Sequence, residues 1–190
     1  MPRYKRECNL EFFEKGVIKT VSYEEFKKML ARCRTKQERA IFIILYFTGA
    51  RPSELKEIKA KHVRKEGRFL VIHIPTTKHG KERDFYLPLY KYEELRWLYE
   101  YSKNMLAEQY LLWSLRRVKR YENKVFNLIE RISNGRYSPY FFRHHRFSVM
   151  ALKGANEEMI KYAKGARSLK SVEPYLHLMK EKISKIASYI

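Results

Sequence analysis

The sequence predicts an α+β fold class: a mainly α-helical domain with one small antiparallel three-stranded sheet. Apolar residues recur at helical spacing before residue 48 and again from Lys91 onward, and two runs of β-forming residues lie between these regions. The chain has 190 residues and contains no internal repeat and no Pro/Gly/Ser-rich linker. It therefore suits one domain that is large enough to bury a hydrophobic core.

The first part of the chain is expected to form helices after an irregular start. Residues 1–21 lack periodicity and are expected to be an N-terminal arm or the remnant of a linker, with the domain over residues 22–190. Ser22 and Glu25 form a capping-box pattern, which predicts that a helix begins here. A second helix is predicted over residues 37–47, buried because its second half is nearly all apolar. Gly49 ends this helix, and residues 53–55 predict a short third one.

The sheet is predicted from two neighbouring runs. Residues 69–74 (Phe-Leu-Val-Ile-His-Ile) and residues 84–89 (Asp-Phe-Tyr-Leu-Pro-Leu) are rich in β-forming residues. Residues 75–81 between them contain Pro and Gly and predict a hairpin connection. A weaker signal over residues 58–64 predicts a third strand.

From Lys91 onward the spacing of apolar residues predicts helices only. Breaks that contain glycine divide this region at residues 134–135, 154–156 and 165. The predicted helices comprise residues 91–103, 107–121, 124–133, 139–153, 157–164 and 171–188.

The charge of the chain indicates its partner. Lys and Arg number 41 against 21 Asp and Glu, a formal net charge of +20. An excess this large indicates a polyanion, most often nucleic acid. Because 45% of the residues are hydrophobic, a disordered basic tail is excluded.

Other functional classes are excluded by shorter patterns. The longest apolar run, residues 40–47, is too short to span a membrane, and the N-terminus lacks the apolar region of a signal peptide. Cys8 and Cys33 cannot by themselves form a zinc module or a disulfide framework. We therefore expect an intracellular, cytoplasmic nucleic-acid binder that uses no metal and no cofactor.

Two segments in the first half of the chain carry basic residues that suit phosphate chemistry. Residues 48–55 hold Arg51 behind a glycine turn, where a guanidinium can present its planar fork to a phosphate. A surface ion pair with Glu54 or Glu57 is the alternative for this arginine. Residues 77–83 place Lys78 at the tip of the hairpin, where a lysine can reach into a groove or simply be solvated.

Two further segments lie in the second half. Residues 140–146 carry Arg143, His144 and Arg146 among aromatic residues at the start of a helix, a pattern typical of phosphate binding or of a solvated basic face. Residues 165–177 lead from a glycine turn to Tyr175, and the alternative for this tyrosine is packing rather than chemistry.

The order and spacing of the four segments resemble those of the tyrosine recombinases, also called phage-type integrases, over about residues 22–179. The resemblance implies the catalytic-domain fold of that family. It also implies an enzyme that cleaves and rejoins DNA at specific sites through a 3′-phosphotyrosine intermediate.

Two positions depart from the family pattern. Tyr140 stands where the family usually has His, and Ala166 stands where it usually has His or Trp. Arg167 or His144 could supply the hydrogen-bond donor that alanine lacks. These departures make the chain similar to the divergent integrases of archaeal viruses and plasmids.

The resemblance also implies a role for each site residue. Tyr175 is the expected nucleophile, Arg51 and Arg143 hold the non-bridging oxygens of the phosphate, and Lys78 protonates the leaving 5′-oxygen. Either Tyr140 or His144 accepts or relays the proton of the nucleophile. No metal is required.

DNA binding and assembly are expected as well. The basic run Arg116, Arg117, Lys119 and Arg120 on a predicted helix is the best candidate patch, and a solvated helix face is its alternative. Lys81 and Arg146 are further candidate DNA contacts. The family usually carries an N-terminal DNA-clamping domain, so we expect the chain to be a catalytic fragment, with a minimal enzyme as the alternative. A homo-tetramer is expected only on synapsed DNA, with residues 180–190 against a neighbouring subunit.

Two alternatives remain open. A type IB topoisomerase uses the same nucleophile chemistry to nick and relax a single duplex. A DNA-binding module that has lost catalysis is the second, because Ala166 and Tyr140 depart from the pattern.

Overall fold

The fold consists of helices around a three-stranded antiparallel sheet, in a computed structural model that describes residues 20–75, 81–114 and 117–176. The predicted fold class is confirmed. The α-helices are α1 Tyr23–Leu30, α2 Lys36–Thr48, α3 Pro52–Leu55, α4 Glu93–Lys103, α5 Val118–Ser133, α6 Pro139–Leu152 and α7 Glu157–Lys164. The strands are β1 Val63–Glu66, β2 Phe69–Ile74 and β3 Arg83–Pro88, and 3₁₀ turns occupy Ala60–His62 and Leu169–Val172.

Local sequence explains where most helices begin and end. The Ser22 hydroxyl accepts a hydrogen bond from the Glu25 backbone N–H at 3.1 Å, as the capping pattern predicts. Ser138 caps α6 through the Phe141 N–H at 3.3 Å. Gly49 and Gly165 follow α2 and α7 with φ of 63° and 58°, the left-handed conformation that glycine adopts without strain.

The sheet has the order β1-β2-β3, and Ile72 pairs with Val63 on one side and with Phe85 on the other. The prediction for β2 matches its bounds, and that for β3 is one residue late. The weak signal for β1 lies too early, because residues 60–62 form a 3₁₀ turn. Most of the connection between β2 and β3, residues 76–80, lies outside the described residues, and so does the predicted position of Lys78.

The predicted helix over residues 107–121 is wrong. Residues 107–111 instead run beside residues 58–61: the Leu111 N–H donates to the Ile58 carbonyl at 3.0 Å, and Ala60 N–H to Gln109 at 2.9 Å. Three of the apolar residues in the predicted helix, Leu111, Leu112 and Trp113, are buried here without helical backbone. A short apolar run has no period that separates a helix from other buried structure. Helix α5 then runs unbroken from Val118 to Ser133 and includes the predicted helix 124–133.

The core is centred on α2, where the run from Ala40 to Leu45 is fully buried as predicted. Phe42 packs edge-to-face against Phe142 of α6 with ring centroids 5.2 Å apart. This contact lays the N-terminal half of α6 beside the end of α2. None of the described helices is long and apolar enough to cross a membrane. Of the predicted last helix, the described part comprises the 3₁₀ turn and helical residues 173–176.

Candidate active site

Two arginines from distant parts of the sequence meet at one backbone oxygen. Arg143 on α6 donates from Nη2 to the Lys164 carbonyl at 2.7 Å, and Arg51, just before α3, donates to the same oxygen from Nη1 at 3.4 Å. Arg143 also donates from Nη1 to the Gly49 carbonyl at 2.7 Å. The glycine turn that ends α2 and the last residue of α7 therefore orient both guanidinium groups.

The environments of the two arginines differ. Arg143 is only 7% exposed, and its burial together with the charge of Arg51 lowers the pKa of its guanidinium. The Arg51 side chain remains 28% exposed and pairs with Glu54 at 2.8 Å. The ion pair with Glu54, which was the alternative to phosphate binding in the sequence analysis, thus exists together with the convergence of Arg51 and Arg143.

A buried ion pair that the sequence did not indicate supports this arrangement. Arg83 at the start of β3 and Glu54 on α3 have side chains that are each 1% exposed, and they form two hydrogen bonds of 3.1 and 2.8 Å. Arg83 Nε also donates to the Ala163 carbonyl at 2.7 Å, and Glu54 accepts from the Arg51 backbone N–H at 2.7 Å. The pair joins β3, α3 and α7 beneath the two arginines. Charged residues are seldom buried, so sequence reasoning placed Glu54 at the surface.

Gly165 allows the end of α7 to approach this pair. A Cβ at residue 165 would lie 2.6 Å from Arg83 Nη1 and 2.9 Å from the Lys81 carbonyl oxygen. The Lys81 N–H donates to the Gly165 carbonyl at 3.2 Å, which ties the start of the β3 segment to the same turn. Glycine is therefore required for close approach as well as for its positive φ.

Tyr175 is held against α6. The residue is 1% exposed, and its hydroxyl oxygen lies 2.9 Å from His144 Nδ1. Burial raises the pKa of Tyr175 and, together with Lys164 and Arg143, lowers the pKa of His144 to about 4. At neutral pH the imidazole is therefore uncharged, and with its proton on Nε2 it accepts a hydrogen bond from the phenol.

Lys164 is the site residue that sequence reasoning missed. Its ammonium lies 4.8 Å from the centroid of the Tyr175 ring and 5.7 Å from that of Phe147, and it donates to the Ser171 carbonyl. Burial, Arg143 and Arg51 lower its pKa to about 8. The signal available in the sequence was its position next to Gly165, but a lone lysine in a chain this basic does not stand out.

The remaining predicted catalytic residues occupy varied places. Tyr140 is half-buried at the start of α6, with its ring centroid 5.8 Å from that of Phe126. Its burial raises the pKa of its hydroxyl. Ala166 is half-buried and Arg167 is exposed. The structure thus brings Arg51, Arg143, His144 and Tyr175 together, while Lys78 lies outside the described residues.

The candidate DNA contacts are dispersed. Arg117, Lys119 and Arg120 are exposed, but Arg117 immediately precedes α5 rather than lying within it, and Arg116 is outside the described residues. Lys81 is exposed beside the Gly165 turn. Arg146 lines a cavity of about 480 Å³, and its Nε is buried without a hydrogen-bond partner among the described residues.

The cluster suits an anion better than a metal. Arg51, Arg83 and Arg143 lie around the carboxylate of Glu54, and Lys164 lies near Arg51 and Arg143. This excess of positive charge attracts an anion. Among the described residues, no group of three His, Cys, Asp or Glu side chains could hold a metal ion.

Comparison with known proteins gives a family and a set of similar folds. The Phage integrase family matches residues 19–182. No curated protein sequence matches the chain.

Three solved structures illustrate the similarity of fold. XerA recombinase has a TM-score of 0.65 at 20% identity, and the match covers 88% of this chain and 64% of that chain. XerH recombinase bound to its difH substrate before cleavage has a TM-score of 0.61 at 22% identity, with 88% and 52% covered. The catalytic domain of bacteriophage HP1 integrase has a TM-score of 0.56 at 19% identity, with 90% and 94% covered. The chain therefore spans less than two thirds of the two recombinases and nearly all of the HP1 domain.

Proposed function

Because the chain belongs to the phage integrase family, we propose that it is the catalytic domain of a site-specific DNA recombinase. It cleaves and rejoins DNA through a 3′-phosphotyrosine intermediate. The observation that carries the proposal is the convergence of Arg51 and Arg143 on the Lys164 carbonyl, with Tyr175 packed beside them.

The arginines supply the electrostatic part of the reaction. When an oxygen nucleophile attacks a phosphodiester, negative charge builds on the two non-bridging oxygens. Guanidinium groups that are already fixed by protein carbonyls stabilise this charge without reorganising. Arg143 is fixed by Gly49 and Lys164, and the more exposed Arg51 offers its remaining N–H groups to the phosphate.

Tyr175 forms the covalent bond. Its phenolic oxygen attacks phosphorus, the bond from phosphorus to the 5′-oxygen breaks, and the 3′ end stays attached to the tyrosine. The phenol proton passes to His144 Nδ1 as the new bond forms. The anionic phosphate neutralises the field of Lys164 and Arg143, which lower the pKa of His144, so DNA binding makes this histidine a better base. Lys78 gives a proton to the leaving 5′-oxygen.

DNA binding must also expose the nucleophile. With 1% of its surface accessible, Tyr175 cannot reach phosphorus in this state. The helical segment over residues 173–176 therefore moves when the phosphate binds between the arginines.

The partner is duplex DNA, and the net charge of +20 supplies the attraction. The solved XerH structure holds its difH substrate, which supports duplex DNA as the ligand of this fold. We propose that Lys81, Arg117, Lys119 and Arg120 contact phosphates and that four subunits assemble only on synapsed DNA. We also propose that residues 1–21 are an arm or linker remnant, that residues 22–190 are the catalytic domain, and that the protein acts inside the cell.

Covalent capture tests the proposed function. The protein is incubated with duplexes that carry a randomised central region and a nick in one strand, and adducts are resolved on a denaturing gel. Cleavage near the nick releases a short oligonucleotide with a free 5′-hydroxyl, which prevents rejoining. Wild type is expected to give a shifted band whose attached strand ends at a 3′-phosphate, and sequencing that strand identifies the site.

Tyr175→Phe is the matched control, because it removes only the phenolic oxygen. This variant is expected to bind the captured sequence with unchanged affinity and to give no adduct. An adduct from Tyr175→Phe would place the nucleophile elsewhere. DNA binding without an adduct from wild type would favour the inactive DNA-binding module. Relaxation of a supercoiled plasmid that lacks the captured sequence would favour the topoisomerase.

A further inference from the structure

The Lys164 ammonium lies near the guanidinium groups of Arg51 and Arg143. It is the last residue of α7, and its carbonyl oxygen is the acceptor for Arg143 and Arg51. The ammonium and the two guanidinium groups are therefore connected through the same residue, Lys164.

The placement of this ammonium is costly for the folded protein alone. The side chain is half-buried over two aromatic rings and lies near two arginines, and within the described residues it forms no ion pair with a carboxylate. Burial and like charge both disfavour the protonated form, which is why its pKa is lowered to about 8. A leucine or methionine would pack on the rings of Phe147 and Tyr175 without this cost. An anion placed among the three cations would remove the repulsion.

The Lys164 ammonium also has N–H donors that the described residues do not use. A lysine carries three N–H donors, and among the described residues the Ser171 carbonyl is the one acceptor for Lys164 Nζ. This bond fixes the ammonium over the face of the Tyr175 ring. Ala166, two residues further along the chain, has no side-chain donor. Lys164 thus holds its remaining N–H donors 4.8 Å from the centroid of the Tyr175 ring.

We propose that the Lys164 ammonium is a third cationic ligand of the scissile phosphate, in the place of the donor that Ala166 cannot supply. This inference rests on the proposed function. Lys164 donates to a non-bridging oxygen and stabilises the charge that develops there as Tyr175 attacks. It forms and breaks no covalent bond itself.

The first test measures the rate of adduct formation on the captured nicked duplex. Lys164→Met keeps the length and apolar packing of the stem and removes the charge. We expect it to slow adduct formation about 100-fold, the effect of removing one oxyanion donor, with duplex affinity changed far less. Lys161→Met, one turn earlier in an ion pair with Glu158, is the matched control and should react at the wild-type rate. Equal rates for wild type and Lys164→Met would overturn the inference and leave the proposed function intact.

The second test separates contact with the phosphate from a structural role. The scissile phosphate is replaced by each diastereomer of a methylphosphonate, which lacks one of the two non-bridging oxygens. If Lys164 touches that oxygen, Lys164→Met and wild type should react at similar rates with one diastereomer and differ with the other. If Lys164→Met slows adduct formation by the same factor on the normal phosphate and on both diastereomers, the role of Lys164 is structural and the inference is overturned. Absence of any adduct from wild type on the normal phosphate would contradict the proposed function itself.

Folding of the variant is checked by its melting temperature. If methionine at residue 164 prevents folding, the same comparison uses Lys164→Gln, which keeps polar N–H groups for the Ser171 carbonyl. A rate difference between wild type and Lys164→Gln that depends on the diastereomer then supports contact with the phosphate, and a constant difference overturns the inference.

Discussion

At the scale of single residues, the Glu54–Arg83 pair shows how burial changes the contribution of an ion pair to the stability of the fold. Its two side chains are each 1% exposed and bind each other and nearby backbone, and Glu54 also accepts from the Arg51 side chain. Removing the Glu54 carboxylate leaves the Arg83 charge buried and uncompensated, which costs far more than losing an exposed pair.

We expect Glu54→Gln to lower the free energy of unfolding by about 3–5 kcal/mol, because Arg83 then keeps a buried charge without its counter-ion. Urea unfolding of wild type and variant measures this difference. Glu24→Gln breaks the exposed Lys27–Glu24 pair and should cost less than about 1 kcal/mol. Similar costs for the two variants would show that the Arg83 guanidinium is solvated.

His145 makes the stability depend on pH. It is buried, accepts a hydrogen bond from the Val21 N–H at 3.2 Å, and has a pKa lowered to about 4 by burial and by Arg146. An unfolded histidine has a pKa of about 6.5. Since the unfolded chain binds the proton more tightly, stability is complete above pH 6.5 and falls as the pH drops toward 4.

We expect His145→Asn to reduce the slope of unfolding free energy against pH by about 1 kcal/mol per unit between pH 6 and 4.5. Asparagine keeps an acceptor for the Val21 N–H but binds no proton. Urea unfolding across this range measures the slope. Between pH 7 and 8 the two curves should run parallel, and parallel curves down to pH 4.5 would show that His145 is protonated in the folded state.

At the scale of elements, the turn after α7 depends on one glycine for two separate reasons. Gly165 has a φ of 58°, and a side chain there would meet Arg83 and the Lys81 backbone. Gly67, between β1 and β2, has a similar φ of 55° with nothing within 4 Å of an added Cβ. Comparing substitutions at these two glycines therefore separates the energetic cost of backbone strain from the cost of close contact.

We expect Gly67→Ala to cost about 1–2 kcal/mol, the strain of a left-handed residue with a Cβ. Gly165→Ala should cost about 2 kcal/mol more, because its Cβ also displaces Arg83. Thermal unfolding of both variants provides the comparison. Equal losses of stability in the two variants would show that the Arg83 side chain moves aside and keeps its ion pair with Glu54.

Elements encoded by local patterns were predicted well from the sequence. The Ser22 cap, the Gly49 stop and the β-forming run of β2 are decided by neighbouring residues, and their bounds match within one or two residues. The segment over residues 107–111 was not predicted, because its backbone partners lie near residue 59.

The same distinction applies to the site. Arg51, Arg143 and Tyr175 were predicted because each lies in a short motif. The positions of Lys164 and Arg83 and the burial of Glu54 were not predicted. They depend on contacts among α3, β3 and α7, and the local spacing of residues does not reveal contacts between distant segments.

At the scale of the whole molecule, the charge excess predicts how DNA binding responds to salt. Each phosphate neutralised by a lysine or arginine releases counterions, so affinity falls steeply as salt is added. We expect the double variant Lys119→Ala, Arg120→Ala to reduce the slope of log affinity against log salt by about 1.8. Fluorescence anisotropy on a duplex at several salt concentrations measures the slope. An unchanged slope would assign these residues to a solvated helix face.

The shared acceptor at the end of α7 has a consequence for evolution. The group that orients Arg51 and Arg143 is a main-chain oxygen, which every amino acid carries. Drift at position 164 can therefore replace the side chain repeatedly without misaligning either arginine. A donor could thus arise at position 164 by a single substitution before one at position 166 is lost, with no inactive ancestor in between.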